Sequence, residues 1–423
     1  MEQPLTAHIP KDGSWLRLKD YERVGGYQGL RQALKMTPKE VIEMVKDAGL
    51  RGRGGAGFAT GLKWSLVPTP EQIPGPRYLI ANGDEMEPGT FKDRLLLEGN
   101  PHQLIEGMII GAYAIQAEFS YVFLRWGYQF AEKALEEAIH EAYEAGYLGK
   151  NILGSSFSHE LSVHISAGRY ICGEETALIN ALEGKRANPR TKPPFPVVSG
   201  FFGKPTVVNN IETLSNVPHI LSKGVNWYKS LSKCEDGGTK LYGVSGRVKR
   251  PGLWELPLGT SFREILEEHA GGMLDGYRFK GALPGGGSTD FITAEHMDVA
   301  MDYNSVAKVG SRMGTGTVIV LDDRTCVVGM VLNLEHFFAQ ESCGWCTPCR
   351  EGLPWTEKLL LAIENGQGKM EDLKIFDDLT RYMGPGHTFC ALAPGAMEPL
   401  QSALKHFRED FERHIHEHRC PWK

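Results

Sequence analysis

Hydrophobic and polar residues follow two different periods along the first half of the chain. A helical period follows Thr37-Pro38-Lys39-Glu40, which has the pattern of a capping box, and Gly49 ends it. Further on, short apolar runs predict strands and helical periods separate them. The predicted strands span 78–81, 121–124 and 160–165, and the predicted helices begin near 100, 130, 173 and 211. This alternation indicates an α/β fold with a mostly parallel sheet.

The pattern changes twice after this layer. Residues 185–205 are rich in proline and basic residues and predict an irregular loop. Beyond Gly237-Gly238, the segments 240–248 and 253–256 resemble a hairpin, with a helix capped by Ser261 and further strands up to Val320. From about Val331 onward helical periods dominate. We therefore predict three domains, at 1–236, 237–330 and 331–423.

Composition and charge narrow the classes of protein. A length of 423 residues suits about three domains. The net charge of −6, without a long basic run, disfavours nucleic-acid binding. We expect no secretory leader, transit peptide or membrane-spanning helix, because the N-terminus and the longest apolar run, 108–115, lack those patterns. The eight cysteines are then better explained as metal ligands or buried thiols than as disulfides.

Four cysteines carry the strongest chemical signal. Cys343, Cys346 and Cys349 have the spacing C-x2-C-x2-C, and Cys390 follows 40 residues later. Three closely spaced thiolates and a remote fourth are typical of a 4Fe-4S cluster. Structural zinc more often takes two separated pairs, so zinc and buried thiols are the weaker alternatives.

Other candidate groups carry weaker signals. Four further cysteines have no ligand spacing and are interpreted as structural: Cys172, Cys234, Cys326 and Cys420. His414, His416 and His418 are attributed to a helix C-terminus rather than to a metal site. The run 285–287 of three glycines is interpreted as a tight turn rather than a second phosphate loop.

A glycine loop at 52–57 matches G-x-G-x-x-G, but a helix precedes it, so an ordinary Rossmann motif is rejected. Its glycines would still let the backbone approach an anion or a flat ring, with Arg53 and Lys63 nearby. A flexible surface turn is the alternative.

Three further segments add to this loop, and two of them lie at the ends of predicted strands. Segment 82–87 has three carboxylates where a strand ends, and 168–175 lies at a strand-to-helix junction. Asn209-Asn210 adds two amides. Taken singly, Glu174 and Glu175 are also ordinary first-turn residues, and an asparagine pair is an ordinary turn.

Together these motifs resemble the NADH-binding flavoprotein subunits of respiratory complex I. The resemblance covers nearly the whole chain, in order, through the segments RGRGGAGF (51–58), NGDEMEPG (82–89), GRYICGEE (168–175), NNIET (209–213) and ESCGWCTPCR (341–350). It implies FMN, one 4Fe-4S cluster and NADH as substrate, with a ubiquitin-like β-grasp module before a helical cluster domain. One departure is Ala59, where many relatives have proline.

The resemblance also implies site residues. The FMN ligands would be Gly54, Gly55, Lys63, Asn82, Asp84, Gly173, Glu174, Asn209, Asn210 and Thr213. The NADH site would consist of Phe58, Lys63, Glu87, Tyr170, Glu175, Lys192 and Phe195. The cluster ligands would be Cys343, Cys346, Cys349 and Cys390. No general acid or base is assigned, because flavin chemistry needs none.

The implied activity is that of a subunit of a proton-translocating NADH:quinone oxidoreductase. Hydride would pass from NADH to FMN, and single electrons would pass to the cluster and onward. The implied partners are a 2Fe-2S subunit and a larger iron-sulfur subunit of a peripheral arm at the cytoplasmic side of a bacterial inner membrane. Alternatives are the diaphorase of a soluble NAD-linked hydrogenase or formate dehydrogenase, and a non-enzymatic nucleotide-binding scaffold with a structural metal.

Overall fold

A computed structural model describes residues 2–423. The chain forms two compact units that are discontinuous in sequence. The first comprises the chain up to Met86, Phe91–Leu241 and Glu255–Gly259. The second comprises Glu87–Thr90, Tyr242–Trp254 and Thr260–Lys423. The three-domain division at 236 and 330 stays a prediction.

The first unit is a mixed α/β structure, and strands and helices alternate in it. Its strands are β1 (Tyr78–Gly83), β2 (Phe119–Arg125), β3 (Glu160–Ser166) and β4 (Thr206–Asn210). Its helices are α1 (Leu18–Arg23), α2 (Gln28–Ala33), α3 (Pro38–Asp47), α4 (Thr60–Ser65), α5 (Asp93–Gly99), α6 (Pro101–Ile115), α7 (Gln129–Glu144), α8 (Glu175–Leu182), α9 (Ile211–Lys223) and α10 (Val225–Ser230).

The rest of the chain has a second sheet and then helices. The strands are β5 (Thr239–Gly246), β6 (Gly252–Pro257), β7 (Phe279–Leu283) and β8 (Thr317–Asp322), in the order β6-β5-β8-β7. The helices are α11 (Tyr303–Lys308), α12 (Val327–Glu341), α13 (Thr347–Glu364), α14 (Met370–Tyr382), α15 (Leu392–His406) and α16 (Arg408–Glu417). Within this region α12 packs against α13 and α15, and α13 and α15 both contact α16.

The sheet of the first unit is parallel throughout, as the alternating pattern predicts. Its order is β3-β2-β1-β4, so β1 lies between β2 and β4. Every connection between neighbouring parallel strands requires a crossover, and helices supply it. Helices α6 and α9 pack against β1, and α7 packs against β3.

Helices α6 and α9 pack closely in the core of the first unit. Nearly every residue of α6 is buried, in agreement with a sequence that is apolar on all sides from Gly107 onward. A Cβ added at Gly107 of α6 would lie 2.0 Å from the carbonyl oxygen of Leu214 in α9. The two backbones therefore approach each other at a position that only glycine permits.

Two buried carboxylates tie distant segments of the first unit together. Glu212 accepts from Lys92 Nζ at 2.8 Å and from Lys240 Nζ at 2.7 Å, and all three side chains are buried. Burial would raise the pKa of Glu212, but the two lysines lower it to about 2. Glu255 accepts from the backbone of Leu5 and Thr6, at 3.0 and 2.9 Å, and its burial raises its pKa to about 7.

The sequence-based elements agree with the structure except where elements are short. The capping box of Thr37 and Glu40 is present at the start of α3. Strand β4 and the short helices α1, α2, α4 and α5 were not predicted, and α12 begins four residues earlier than the predicted helical region. The turn after Ser261 is a π-helix over Glu264–His269. Among residues 2–423, no helix has both the length and the hydropathy needed to cross a bilayer.

Candidate functional site

The carboxyl ends of β1 and β4 form the centre of the candidate site. These strands are neighbours, and Asn82 pairs in register with Asn210. The chain first proceeds from β1 to β2 and β3 on one side and then returns to place β4 on the other side. In open α/β sheets, ligands bind outside the carboxyl ends at such a reversal of strand order. Asn82, Asn209 and Asn210 therefore lie where a ligand is expected.

Loops after β1 and β3 converge on the same edge. Asn82 Nδ2 donates to the carbonyl oxygen of Gly173 at 3.0 Å. Asp84, nearly buried, accepts from Ser166 Oγ at 2.8 Å, and its backbone N–H donates to Asn82 Oδ1 at 3.2 Å. These bonds bring together three of the predicted site residues, Asn82, Asp84 and Gly173.

The glycine loop lies against the end of β4. Its two ends are held by a bridge between Arg51 and Ala59. Gly55 has a φ of 127°, and a Cβ added at Gly54 would lie 3.0 Å from Asn210 Cβ. The Arg53 N–H donates to Thr213 Oγ1 at 2.8 Å, which fixes the loop to the first turn of α9. The loop is thus anchored at its two ends and against the first turn of α9, where it can serve as a cradle.

Two lysines and two glutamates form an ion cluster beside this edge. Lys63 Nζ is 2.8 Å from Glu175 Oε2 and also donates to the carbonyl oxygen of Val208 at 2.8 Å. Lys192 Nζ lies 2.9 Å from Glu174 and 3.3 Å from Glu175.

Burial would raise the pKa of Glu175, but Lys63 and Lys192 outweigh it and lower that pKa. For Lys192, burial would lower the pKa, and the two glutamates raise it instead. Glu175 and Lys192 are therefore charged at neutral pH. The four side chains form a polar surface that can orient amide, hydroxyl and phosphate groups.

The aromatic residues of the predicted NADH site differ in exposure. Phe58 is 51% exposed and Phe195 is 54% exposed, so both rings are accessible. Tyr170 is half-buried in a 3₁₀ turn before α8. Glu87 belongs to the second unit, where it accepts from the Ser288 N–H at 2.6 Å.

Some residues that support this edge were not predicted from the sequence. Trp64 Nε1 donates to Asn209 Oδ1 at 2.9 Å, and Asp93 Oδ2 accepts from Asn210 Nδ2 at 2.6 Å. Glu85, from the acidic segment, instead caps α5, because it accepts the N–H groups of Lys92 and Asp93. Burial is the main reason why the pKa of Glu85 is raised to about 7, and electrostatic repulsion from Asp93 adds to this effect. No sequence pattern distinguishes such contacts, since they join residues distant along the chain.

The cysteine set lies in the second unit. Cys346 is the N-cap of α13, Cys349 is in its first turn, and Cys390 lies in the turn before α15. The other three cysteines act electrostatically on the thiol of Cys349, so the set is gathered in one place. Burial, together with these neighbours, raises the pKa of the Cys349 thiol to about 12. Four converging sulfurs are the donor set that an iron-sulfur cluster requires.

The remaining candidate groups are four cysteines, three histidines and a run of three glycines. Cys172 is buried near the sheet edge, and Cys234 lies 3.3 Å from Ser232 Oγ. Cys326, Cys420 and His414 lie together with Glu364, a grouping that their spacing in the sequence does not indicate. His416 and His418 are exposed, in agreement with their interpretation as helix-terminal groups. The glycines at 285–287 form a turn in which Gly286 has a φ of 104°.

Comparisons with known proteins agree with both sites. The model of the Nuo51 FMN-binding domain matches residues 45–219, and the model of the NADH-ubiquinone oxidoreductase-F iron-sulfur binding region matches 329–414. An SLBB domain model matches 241–291. The predicted FMN and 4Fe-4S cofactors are confirmed by these matches.

Relatives match over nearly their full length. The F subunit of NADH-quinone oxidoreductase from Salmonella typhimurium strain LT2 is 59% identical over 413 residues, covering 97% of this chain and 93% of the relative. The F subunit of Escherichia coli strain K12 has the same identity and coverage. A chain from the crystal structure of an NAD+-reducing NiFe hydrogenase in the H2-reduced state has a TM-score of 0.83 and 35% identity, covering 95% of this chain and 67% of that one. The chain belongs to the family of NADH-quinone oxidoreductase F subunits.

Proposed function

We propose that this chain oxidises NADH within a quinone-reducing, proton-translocating respiratory complex and transfers the electrons singly to partner iron-sulfur subunits. One observation carries the proposal: the chain contains both kinds of site. A glycine cradle lies at the edge of a parallel sheet, and four cysteines are gathered in the second unit. When bound, FMN would take up the hydride, and a 4Fe-4S cluster would take up one electron at a time.

The residues proposed to hold FMN surround the carboxyl ends of β1 and β4. The glycine loop would admit a flat ring or phosphate, because Gly54 leaves no side chain against Asn210. Amides of the sheet edge would bond the polar groups of the flavin. The proposed ligands are Gly54, Gly55, Lys63, Asn82, Asp84, Gly173, Glu174, Asn209, Asn210 and Thr213.

The residues proposed to bind NADH combine exposed rings with charges. Phe58 and Phe195 offer accessible faces on which an adenine can stack, at about 1–3 kcal/mol per stacked base. Lys63 and Lys192 attract phosphate, while Glu175 accepts from hydroxyl groups. Tyr170 and Glu87 complete the proposed set. The chain has no need of a proton donor or acceptor at the hydride step, so these side chains bind and orient.

We propose Cys343, Cys346, Cys349 and Cys390 as the cluster ligands. The positions of Cys346 at the N-cap of α13 and of Cys349 in its first turn support this, because one helix end then carries two of the four sulfurs. Residues 331–423 would form a helical bundle around this cluster. Residues 237–330 would form a ubiquitin-like β-grasp module, and the match of an SLBB domain model supports this assignment.

The proposed partners follow from the number of cluster sites in the chain. The chain has one cysteine set with cluster spacing, so the electrons must continue through other subunits. We propose a 2Fe-2S subunit and a larger iron-sulfur subunit of a peripheral arm, on the cytoplasmic side of a bacterial inner membrane. The membrane arm would be reached only through these subunits.

The substitution Cys390→Ser in the assembled complex tests this function. We expect NADH oxidation with ferricyanide to persist and NADH-dependent quinone reduction to be lost, because only the second reaction needs the cluster. Both rates are measured on the same membranes. Cys234→Ser, outside the cluster set, is the control and should retain both activities. An equal loss of both activities in Cys390→Ser, with flavin still bound, would contradict the relay role.

A second candidate function is the diaphorase of an NAD-linked hydrogenase, which the structural similarity favours. The higher identity to the NADH-quinone oxidoreductase relatives, 59% against 35%, supports the respiratory complex. The native complex distinguishes the two. H2-dependent reduction of NAD+ would support the hydrogenase, and NADH-dependent reduction of quinone would support the respiratory enzyme.

A further inference from the structure

Four potential metal ligands converge in the second unit, and none of them belongs to the cysteine set of the proposed cluster. Cys326 is the N-cap of α12, Glu364 ends α13, His414 is in α16, and Cys420 follows that helix. One ligand atom from each residue lies within 4.8 Å of all the others. Glu364, His414 and Cys420 are buried, and Cys326 is half-buried. Four segments far apart in sequence thus bring two thiols, an imidazole and a carboxylate into one small space.

Four of the six distances among these atoms fit a tetrahedron around one ion. Cys326 Sγ is 3.7 Å from Cys420 Sγ, 3.3 Å from His414 Nε2 and 3.3 Å from Glu364 Oε2. His414 Nε2 is 3.2 Å from Glu364 Oε2. Tetrahedral zinc bonds would give edges of about 3.8 Å between two sulfurs, about 3.5 Å between sulfur and nitrogen, and about 3.4 Å between nitrogen and oxygen. The four measured edges agree with these values to within about 0.3 Å, a small adjustment for a metal site.

The surroundings of the four ligands suit a bound cation. His414 Nδ1 lies 2.6 Å from the carbonyl oxygen of Asp410, an arrangement that directs the Nε2 lone pair toward the other three ligands. The N–H of Gly329 donates to Cys326 Sγ at 3.2 Å. Lys423 Nζ is 2.8 Å from Glu364 Oε1, the carboxylate oxygen that the four-ligand group does not use. Two thiolates, one carboxylate and one divalent ion leave a charge of −1, which Lys423 offsets.

A disulfide between Cys326 and Cys420 is the main alternative for this group. It would require the sulfurs to move from 3.7 Å to about 2.05 Å. It would also give no role to His414 and Glu364, whose polar atoms face the same space. A divalent ion uses all four groups at their present positions.

We propose that Cys326, Glu364, His414 and Cys420 bind one structural Zn²⁺ ion. The set is closed, with four protein ligands, as structural zinc sites are, and tetrahedral sulfur-and-nitrogen sets favour zinc. The ion would join α12, α13, α16 and the C-terminal segment. Its role is to stabilise these elements, and it takes no part in the oxidation of NADH.

Metal analysis of the purified protein tests the site. We expect about one zinc ion per wild-type chain, in addition to the cluster iron. Cys420→Ser and His414→Gln should lower zinc content at least about tenfold, because even altering a ligand's hydrogen-bond partner has that effect. His416→Gln on the same helix and Cys234→Ser are matched controls and should retain zinc. Cys343→Ser should lower iron and leave zinc unchanged, so the readout is independent of the proposed electron relay.

Zinc K-edge X-ray absorption on the wild-type protein gives a test that needs no variant. We expect two sulfur neighbours at about 2.3 Å and two nitrogen or oxygen neighbours at about 2.0–2.2 Å. A shell of four sulfurs would place zinc in the 343–390 set instead, and a six-oxygen shell would indicate adventitious binding. Either of these shells, or the absence of zinc, would overturn the proposal. Mass spectrometry of an unreduced digest would also overturn it by detecting a disulfide between Cys326 and Cys420.

Discussion

At the scale of single residues, the buried carboxyl group of Glu255 makes the stability of the first unit depend on pH. Glu255 is 1% exposed and accepts from Leu5, Thr6 and Thr239, so its environment is both apolar and rich in donors. Desolvation outweighs these bonds and raises its pKa from 4.5 to about 7. Between pH 4.5 and 7, the Glu255 carboxyl group is therefore mostly protonated in the folded chain and mostly ionised in the unfolded chain.

The substitution Glu255→Gln should change the pH dependence of stability in a defined direction. Since the folded pKa is the higher one, the contribution of Glu255 to the free energy of unfolding should fall as pH rises through 4.5–7. The contribution is at most about 1.4 kcal/mol per pH unit, and Glu255→Gln lacks it. Urea unfolding at several pH values measures the difference. Exposed Glu136→Gln is the control, and parallel curves for wild type and Glu255→Gln would contradict the expected linkage.

The substitution Gly54→Ala should weaken flavin binding more than it weakens the fold. Its Cβ would lie 3.0 Å from Asn210 Cβ, in the proposed cradle. We expect flavin affinity to fall by about 1–3 kcal/mol, or roughly 5- to 150-fold. Flavin fluorescence after acid release measures the bound fraction. Gly127→Ala, at an exposed turn with open space, should bind flavin normally, and unchanged flavin content in Gly54→Ala would refute the cradle.

At the scale of elements, the sequence predicts long periodic segments well and short ones poorly. The strands at 78, 119 and 160 and helices α6, α7 and α9 have enough residues for their period to be visible. Strand β4 has five residues after a proline-rich loop, so too little sequence precedes Asn209-Asn210 to define a period. The partners Trp64 and Asp93 were missed because their contacts arise only when the strands are assembled.

The packing of α6 on α9 predicts that replacing two glycines of α6 with alanine changes the free energy of unfolding by unequal amounts. Gly107→Ala would place a Cβ 2.0 Å from a backbone oxygen, which cannot rotate away. We expect a loss of about 1–3 kcal/mol in the free energy of unfolding. Gly111→Ala meets only side-chain atoms of Leu79 and Trp64 at 3.2 Å, and the gain in helix propensity of about 0.5–1 kcal/mol offsets this contact. Urea midpoints compare the two, and equal effects would show that the helices move apart freely.

At the scale of the whole molecule, the first compact unit includes residues up to Leu241 and Glu255–Gly259. Lys240 completes the buried ion group of Glu212, and Glu255 binds the backbone near the N-terminus. The predicted boundary at 236 rests on the glycines of 237–238, and a turn and a domain limit have the same local pattern. The contacts that cross that boundary join residues far apart in sequence, and no local pattern reports them.

Two fragments should therefore differ in stability. A fragment of residues 1–236 leaves Glu212 with Lys92 but without Lys240, and the loss of one buried hydrogen-bond partner costs about 1–3 kcal/mol. A fragment of residues 1–259 keeps Lys240 and Glu255. We expect cooperative thermal unfolding by circular dichroism only for the longer fragment. Lys240→Met in the longer fragment is a control that should reproduce the instability, and equally cooperative unfolding of both fragments would contradict this expectation.

The in-register pairing of Asn82 with Asn210 has an evolutionary consequence. Both asparagines are placed by hydrogen bonding between adjacent strands, whereas more than a hundred residues, including β2 and β3, lie between them along the chain. Backbone pairing of β1 and β4 keeps the two amides together whatever the length of that intervening chain. Insertions and deletions among homologues should therefore accumulate in the crossovers and spare the two strands, so this pocket can persist while the outer surface diverges.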